Sequence, residues 1–80
     1  MEALQLLDTV VILIDIPEEE IRVGDIGTIS DVYTQMSLSY EVEFVTADGT
    51  PRAMVTLAPD QIRTLSNRDV LTVRQLPAAG

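Results

Sequence analysis

The sequence predicts an all-β domain, a small barrel of about five antiparallel strands with one short helical turn before the last strand. Short runs rich in Val, Ile, Thr and Tyr recur along the chain and are separated by Gly, Pro and Asp, whereas no window of helical length is amphipathic. One Asp-Gly pair separates two runs of alternating apolar residues, as in a β-hairpin. The chain has 80 residues, and closing the sheet protects the strand edges of such a small domain.

The first half of the chain predicts two strands joined by an acidic loop. Residues 9–15 form the first apolar run, and residues 16–20 follow as a loop because a proline and three glutamates disfavour a strand. Residues 24–27 are expected to turn the chain tightly into a second strand, residues 28–33. Gly24 and Gly27 then occupy positions at which a side chain would obstruct the turn.

Residues 40–57 predict a hairpin whose tip is a two-residue type I′ turn at Asp48-Gly49. Pairing the two arms about that tip puts Pro51 opposite Thr46 and gives two distinct faces. The pairs on the predicted core face are all apolar: Phe44 with Ala53, Val42 with Val55, and Tyr40 with Leu57. The pairs on the opposite face are Glu43 with Met54 and Glu41 with Thr56.

The rest of the chain predicts the end of the domain and an extension. Residues 58–62 indicate a single helical turn with Pro59 early in it, and residues 63–65 indicate a short last strand. We therefore expect one SH3-like barrel domain over residues 1–66 and a C-terminal extension over residues 67–80. In the extension, residues 70–73 are predicted as an extra edge strand of the same barrel or as a strand offered to another chain, and the last residues are expected to fray.

The composition excludes several kinds of chemistry. The chain has no Cys, no His and no Lys, which excludes cysteine nucleophiles, disulfides, Cys/His zinc sites and Schiff-base catalysis. The loop around Gly24 lacks the following helix and the lysine of a phosphate-binding loop. We expect no catalysis and no cofactor.

The charge and hydropathy of the chain restrict its partners. Thirteen carboxylates against five arginines give a net charge of −8, and such a surface repels nucleic-acid phosphates. No apolar run approaches the roughly 18 residues of a membrane span, and the first residues lack the basic segment of a secretory signal. The expected protein is cytoplasmic, binds neither nucleic acid nor membrane, and is a monomer or weak dimer.

The candidate binding residues are acidic and lie in two places. Glu41 and Glu43 share one face of a strand, with no cation opposite either of them. Such a face serves solubility, or it binds a basic protein partner with Met54 as an adaptable apolar contact. Adding the acidic loop gives the predicted partner-binding set: Glu18, Glu19, Glu20, Glu41, Glu43 and Met54.

Other charged residues have simpler interpretations. Asp15, Asp25 and the three loop glutamates supply oxygen ligands of the kind that Ca²⁺ or Mg²⁺ binds, but their spacing is not that of an EF-hand loop. We therefore expect no metal site. Arg22 and Arg52 are expected to be solvent-exposed partners of neighbouring acids.

A set of short motifs gives the chain a family resemblance. The motifs follow in this order: Leu6-Leu7-Asp8-Thr9-Val10-Val11, Pro17-Glu18-Glu19, Val23-Gly24-Asp25-Ile26-Gly27-Thr28-Ile29, Tyr40-Glu41-Val42-Glu43-Phe44-Val45, Asp48-Gly49, Val55-Thr56-Leu57 and Pro59-Asp60-Gln61-Ile62. Together they resemble the bacterial domain-of-unknown-function family 4926, from about residue 4 to residue 65. The resemblance implies an SH3-like fold. Members of that family are often encoded beside a small toxin, which implies an antitoxin or immunity role.

Two further resemblances supply alternative hypotheses. The chain is similar in its glycine-containing turn to a small accessory polypeptide of photosystem I, which implies a structural accessory protein that stabilises a larger assembly. It is similar in the same turn to KOW-type ribosomal domains, which implies nucleic-acid binding, but those domains are basic and this chain is acidic. The first hypothesis is a non-catalytic module that neutralises a basic toxin through an acidic face.

Overall fold

The computed structural model describes residues 4–65, which form five antiparallel strands in one sheet. The strands are β1 (Thr9–Ile12), β2 (Ile26–Tyr33), β3 (Ser39–Val45), β4 (Pro51–Leu57) and β5 (Ile62–Thr64). Their order across the sheet is β4-β3-β2-β1-β5. The predicted all-β class and the helical turn before the last strand, Pro59–Gln61, are confirmed. The predicted extension and its edge strand lie outside the described residues.

Side chains from all five strands meet in a single core, so the sheet wraps around its own inner face. Period-two alternation directs residues of β2, β3 and β4 inward, whereas Val10, Val11 and Ile12 of β1 are all buried. The loop between β1 and β2 adds to the core, because Ile16 and Ile21 pair across an isolated bridge and are both buried. The core consists of Val10, Ile12, Ile16, Ile21, Ile29, Tyr40, Val42, Phe44, Leu57 and Ile62.

Gly27 allows the inner faces of β2 and β3 to approach closely. A Cβ at this position would lie 2.5 Å from Val42 Cγ1 and 3.0 Å from Phe44 Cε1. Both of those side chains are fully buried, and a close-packed interior leaves them little room to move. The sequence prediction placed Gly27 in a turn, but the residue lies in β2 and its role is to make space for the core.

The turn into β2 covers residues 22–25 and not the predicted residues 24–27. The Asp25 N–H donates to the Arg22 carbonyl at 3.0 Å, and the Arg22 N–H donates to Asp25 Oδ2 at 2.9 Å. Gly24 occupies the third position with a φ of 95°, where a type II turn requires a residue that tolerates positive φ. Because this turn comes earlier than predicted, β2 begins at Ile26.

The first strand is also shorter than predicted, because the chain changes its hydrogen-bond partners after Ile12. The Leu13 N–H donates to the Gln61 carbonyl at 2.9 Å, and Asp15 accepts from the Val23 N–H at 3.0 Å. Residues 13–15 therefore lead into the loop. The loop itself contains a 3₁₀ turn, Pro17–Glu19, where the sequence predicts no regular structure.

The tip of the β3–β4 hairpin is a three-residue loop and not the predicted two-residue type I′ turn. The Gly49 N–H donates to the Thr46 carbonyl at 2.9 Å, and the Thr46 N–H donates to the Thr50 carbonyl at 2.9 Å. Gly49 has a φ of 87° whereas Asp48 keeps a negative φ, which matches a type I turn followed by a left-handed residue.

Asp48 stabilises this tip through its carboxylate. The side chain accepts from the Thr46 hydroxyl and from the Thr50 N–H at 3.1 Å. Hydrogen bonds from Thr46 and then from Thr50 lower the pKa of Asp48 to about 2. Because hydrogen bonding favours the ionised form, this contribution to stability is present above the ordinary pKa of 3.8 and is lost as the pH falls through about 2.

A β-bulge at Arg52 restores the predicted register in the body of the hairpin. Val45 pairs with Pro51, whereas the next pair is Phe44 with Ala53, so Arg52 is the extra residue. The predicted pairing of Pro51 with Thr46 is therefore wrong. The remaining predicted pairs, from Phe44–Ala53 to Tyr40–Leu57, are confirmed.

The packing at Gly27 predicts the effect of adding one methyl group. Gly27→Ala should lower the free energy of unfolding by about 1–3 kcal/mol, since the core must be overpacked to admit it. Val42→Ala removes the atom that the new methyl meets first, so the double variant should be more stable than the sum of the single effects by about 1 kcal/mol. Urea denaturation of the four proteins measures this coupling.

Gly24→Ala is the control for Gly27→Ala. A Cβ at Gly24 meets no atom within 4 Å, so its substitution loses only the freedom of positive φ and should combine additively with Val42→Ala. If Gly27→Ala and Val42→Ala are additive as well, the proposed packing role of Gly27 is wrong.

Candidate functional site

The outward side chains of β2, β3 and β4 form one surface, which we call the outer face. In an antiparallel sheet, directly paired residues have their Cβ atoms about 5 Å apart. Glu43 lies between Thr28 and Met54, and Glu41 lies between Asp31 and Thr56. The outer face consists of Thr28, Asp31, Tyr33, Glu41, Glu43, Met54 and Thr56.

The predicted members of the outer face are placed as the sequence indicated. Glu43 is directly opposite Met54, and Glu41 is directly opposite Thr56. Both glutamates are half-buried, and Met54 is 56% exposed. Within residues 4–65, no ion pair involves Glu41, Glu43 or Asp31.

Asp31 is a member of the outer face that the sequence analysis missed. Strict alternation from Gly27 and Ile29 would direct residue 31 into the core. Ile29 pairs with Val42 but Asp31 pairs with Glu41, so Ser30 is an extra residue in β2. The bulge turns Asp31 outward, where its carboxylate lies opposite that of Glu41. The signal in the sequence was the polar pair Ser30-Asp31, which interrupts an otherwise alternating strand.

Tyr33 adds an aromatic ring beside this pair of carboxylates. The side chain is 38% exposed, and Tyr33 pairs with Ser39 at the end of the β2–β3 ladder. Partial desolvation, a hydrogen bond with Glu41 and the charges of Glu41 and Asp31 raise the pKa of the Tyr33 phenol. The strand register agrees with these effects, since the Tyr33–Ser39 pair is next to the Asp31–Glu41 pair on the outer face.

The acidic loop, Glu18, Glu19 and Glu20, is attached to β4 by Arg52. Arg52 Nη2 donates to the Glu19 carbonyl at 2.7 Å and lies 3.4 Å from Glu20 Oε2. The Arg52 side chain is only 7% exposed, whereas that of Glu20 is 63% exposed. The expectation that Arg52 is solvent-exposed is therefore wrong, and the bulge explains why, since it redirects this side chain toward the loop. Arg22 is exposed as expected.

The acidic loop and the outer face are therefore neighbours along β4, but they are formed by different parts of the chain. Arg52 precedes Met54 by two residues, a spacing of about 7 Å along a strand. The loop glutamates lie on a 3₁₀ turn with Glu20 in the left-handed conformation, at a φ of 57°. Glu41 and Glu43 lie on β3, which is paired on both sides, with β4 and with β2. The predicted binding residues therefore fall into a strand group and a loop group that Arg52 joins.

The acids considered for a metal site have structural roles instead. Asp25 is buried, and its carboxylate accepts the Arg22 N–H. Asp15 accepts the Val23 N–H, so both carboxylates hold the loop that leads into β2. Within residues 4–65, no group of three or more potential metal-ligating side chains is arranged to hold an ion.

Arg52 is predicted to stabilise the fold through the acidic loop. Arg52→Met keeps the apolar stem but leaves the Glu19 carbonyl without its donor, so the free energy of unfolding should fall by about 1–3 kcal/mol. Exchange of the Ile21 amide, which donates to Ile16 in the same loop, should accelerate. Arg22→Met, at an exposed position, should change stability by less than about 0.5 kcal/mol. Equal effects of the two substitutions would contradict this role.

The environment of Tyr33 gives a spectroscopic test of the outer face. Glu41→Gln removes a negative charge that raises the pKa of the Tyr33 phenol and alters its interaction with the side chain at position 41. The phenol pKa should therefore fall toward 10.0. Absorbance of the phenolate during a pH titration measures it, and Tyr33→Phe gives the contribution of the second tyrosine. Glu43→Gln, on the same face, should have a much smaller effect. An unchanged pKa in Glu41→Gln would contradict the geometry.

Comparison with known protein families gives a match over most of the chain. A family model matches residues 6–64, and its description is Domain of unknown function (DUF4926). Searches of curated proteins and of solved structures found no significant match. In the described part of the chain, no helix has the length and hydrophobicity needed to cross a bilayer. The matched range includes all five strands, and it confirms the resemblance identified from the motifs. The chain belongs to the family Domain of unknown function (DUF4926).

Proposed function

We propose that this chain is a non-catalytic protein-binding module that binds a basic protein through the outer face. The observation that carries the proposal is the uncompensated charge of Asp31, Glu41 and Glu43. Asp31 and Glu41 are directly opposed, and within residues 4–65 none of the three carboxylates has an ion-pair partner. Directly opposed like charges destabilise a sheet by a few tenths of a kcal/mol.

Solubility alone is a weaker explanation of this arrangement. A net charge of −8 already favours solubility, and fully exposed loop positions would carry additional charge without repulsion between paired residues. Glu41 and Glu43 are half-buried on β3, a strand with a neighbour on each side, so solvent screens their repulsion less than it would at a fully exposed position. Cations from a partner would remove that repulsion, so the free protein is complementary to a basic surface.

In the proposed mechanism, charge sets the rate of association and apolar contact sets the rate of dissociation. The negative field of the outer face and of the acidic loop attracts a basic surface and raises the association rate. Met54, exposed beside Glu43, supplies an adaptable apolar contact that slows dissociation. In the antitoxin or immunity form of the proposal, which rests on the family resemblance, the outer face covers the basic substrate-binding or nucleic-acid-binding groove of a toxin in the cytoplasm.

Charge reversal on β3 should slow association with the partner. The double variant Glu41→Lys/Glu43→Lys should associate about tenfold more slowly and with a weaker dependence on salt. A pull-down from host lysate, washed at low and at high salt, identifies the partner, and surface plasmon resonance with the purified partner measures the rates. Circular dichroism and thermal unfolding establish that the variant is folded.

Asp60→Lys is the matched control for the single variant Glu41→Lys, since both change the net charge equally but Asp60 lies on the Pro59–Gln61 turn. It should affect association much less than Glu41→Lys. Equal effects would mean that net charge matters and that the outer face does not. Retention of many components of one large complex, in place of one small basic protein, would contradict the antitoxin form and favour a structural accessory protein.

A further inference from the structure

The end of the β2–β3 hairpin exposes large apolar side chains next to the acidic outer face. Met36 is fully exposed, at 106%, and Leu38 is 43% exposed. Tyr33, at the end of β2, belongs to the same hairpin end and to the outer face. The three residues lie between positions 33 and 38, at one end of one hairpin, and exposed apolar residues concentrated in one region mark interaction sites more often than single ones. We call Tyr33, Met36 and Leu38 the hairpin end.

The backbone at Met36 holds the side chain out in solvent. Met36 has a φ of 66°, and the Ser37 N–H donates to the Gln35 carbonyl at 2.7 Å, so the residue is the centre of a tight turn. Glycine or asparagine adopts this conformation at lower energy than methionine. A turn that required only the backbone conformation would favour one of those residues, so the methionine side chain itself is the feature to be explained.

The hairpin end is continuous with the acidic residues of the outer face. The Tyr33–Ser39 pair is next to the Asp31–Glu41 pair on the outer face, so the tyrosine ring lies beside two carboxylates. The arrangement is thus an apolar group bordered on one side by carboxylates. Interfaces commonly have this organisation, with a few apolar anchors that enter a pocket and charged residues around them.

We propose that Met36, flanked by Tyr33 and Leu38, is the apolar anchor that enters a pocket on the basic protein partner. The inference rests on the proposed function and adds to Met54 a second apolar contact that slows dissociation. Charge complementarity favours a basic protein over a second copy of this chain or a lipid surface as the binding partner. A second copy of this chain would bring a further net charge of −8 toward Asp31 and Glu41, and anionic lipid headgroups would be repelled by the same residues.

Two synthetic peptides separate the charge and anchor contributions. One alternates Arg and Leu, and the other alternates Arg and Ser, so that they carry the same charge but differ in apolar content. Fluorescence titration of the full chain should give tighter binding of the Arg-Leu peptide. Met36→Gly should weaken binding of the Arg-Leu peptide about tenfold, as expected for one buried methionine side chain, and should leave the Arg-Ser peptide unaffected.

Leu7→Gly is the matched control for Met36→Gly. Leu7 also has a positive φ, 72°, and is 74% exposed, but it lies in the turn before β1. Both substitutions relieve the backbone and remove an exposed apolar side chain, so both should keep or raise the melting temperature. Peptide affinity should fall only for Met36→Gly. Equal affinities of the two variants for the Arg-Leu peptide would contradict the proposal that Met36 is the apolar anchor.

The charge-reversed protein distinguishes failure of the anchor from failure of the proposed function. If Glu41→Lys/Glu43→Lys loses affinity for both peptides but Met36→Gly loses none, the proposed role of the outer face is supported and the anchor role of Met36 is wrong. If neither variant loses affinity for either peptide, both proposals are wrong. If sedimentation shows a dimer that Met36→Gly dissociates, the hairpin end binds a second copy and the inference is overturned.

Discussion

The close contact of Val42 and Phe44 with the backbone of Gly27 is the constraint on which the arrangement of the sheet depends. A short sheet that wraps around its own core needs a position without a side chain where its inner faces converge. Gly27 provides it, and the two buried side chains of β3 fill the space. Once Val42 and Phe44 point inward, alternation directs Glu41 and Glu43 outward. The acidic character of the outer face is therefore a consequence of the way in which the core is packed.

Two β-bulges interrupt that alternation and redirect the side chains next to them. The bulge at Ser30 keeps Asp31 out of the core and places it against Glu41. The bulge at Arg52 redirects a guanidinium from the solvent to the Glu19 carbonyl. Each bulge adds one residue to one strand and rotates the side chains beyond it. The first therefore concentrates negative charge on the outer face, while the second removes a cation from the solvent and uses it to hold the acidic loop.

In the function proposed above, the surface that results separates the two stages of association with a basic protein. Carboxylates on β2, β3 and the loop give a negative field that acts before contact, whereas the apolar contacts proposed for Met54 and the hairpin end form after it. Glu20 and Met36 both have left-handed backbone conformations at turns, and both are exposed. The stability of the domain comes from the core, so these surface positions are free to differ from what stability alone would favour.

The sequence by itself determined the strand content, the order of elements, the register in the body of the hairpin and the outward direction of Glu41, Glu43 and Met54. Those features follow from local rules, namely turn residues and period-two alternation, which act over a few residues. Family membership was also evident from the motifs. The placement of Asp31, the burial of Arg52 and the packing role of Gly27 were decided by tertiary structure. Each depends on a contact between residues distant in sequence, such as Arg52 with Glu19 or Gly27 with Phe44, and local periodicity carries no information about which distant atoms will occupy the same space.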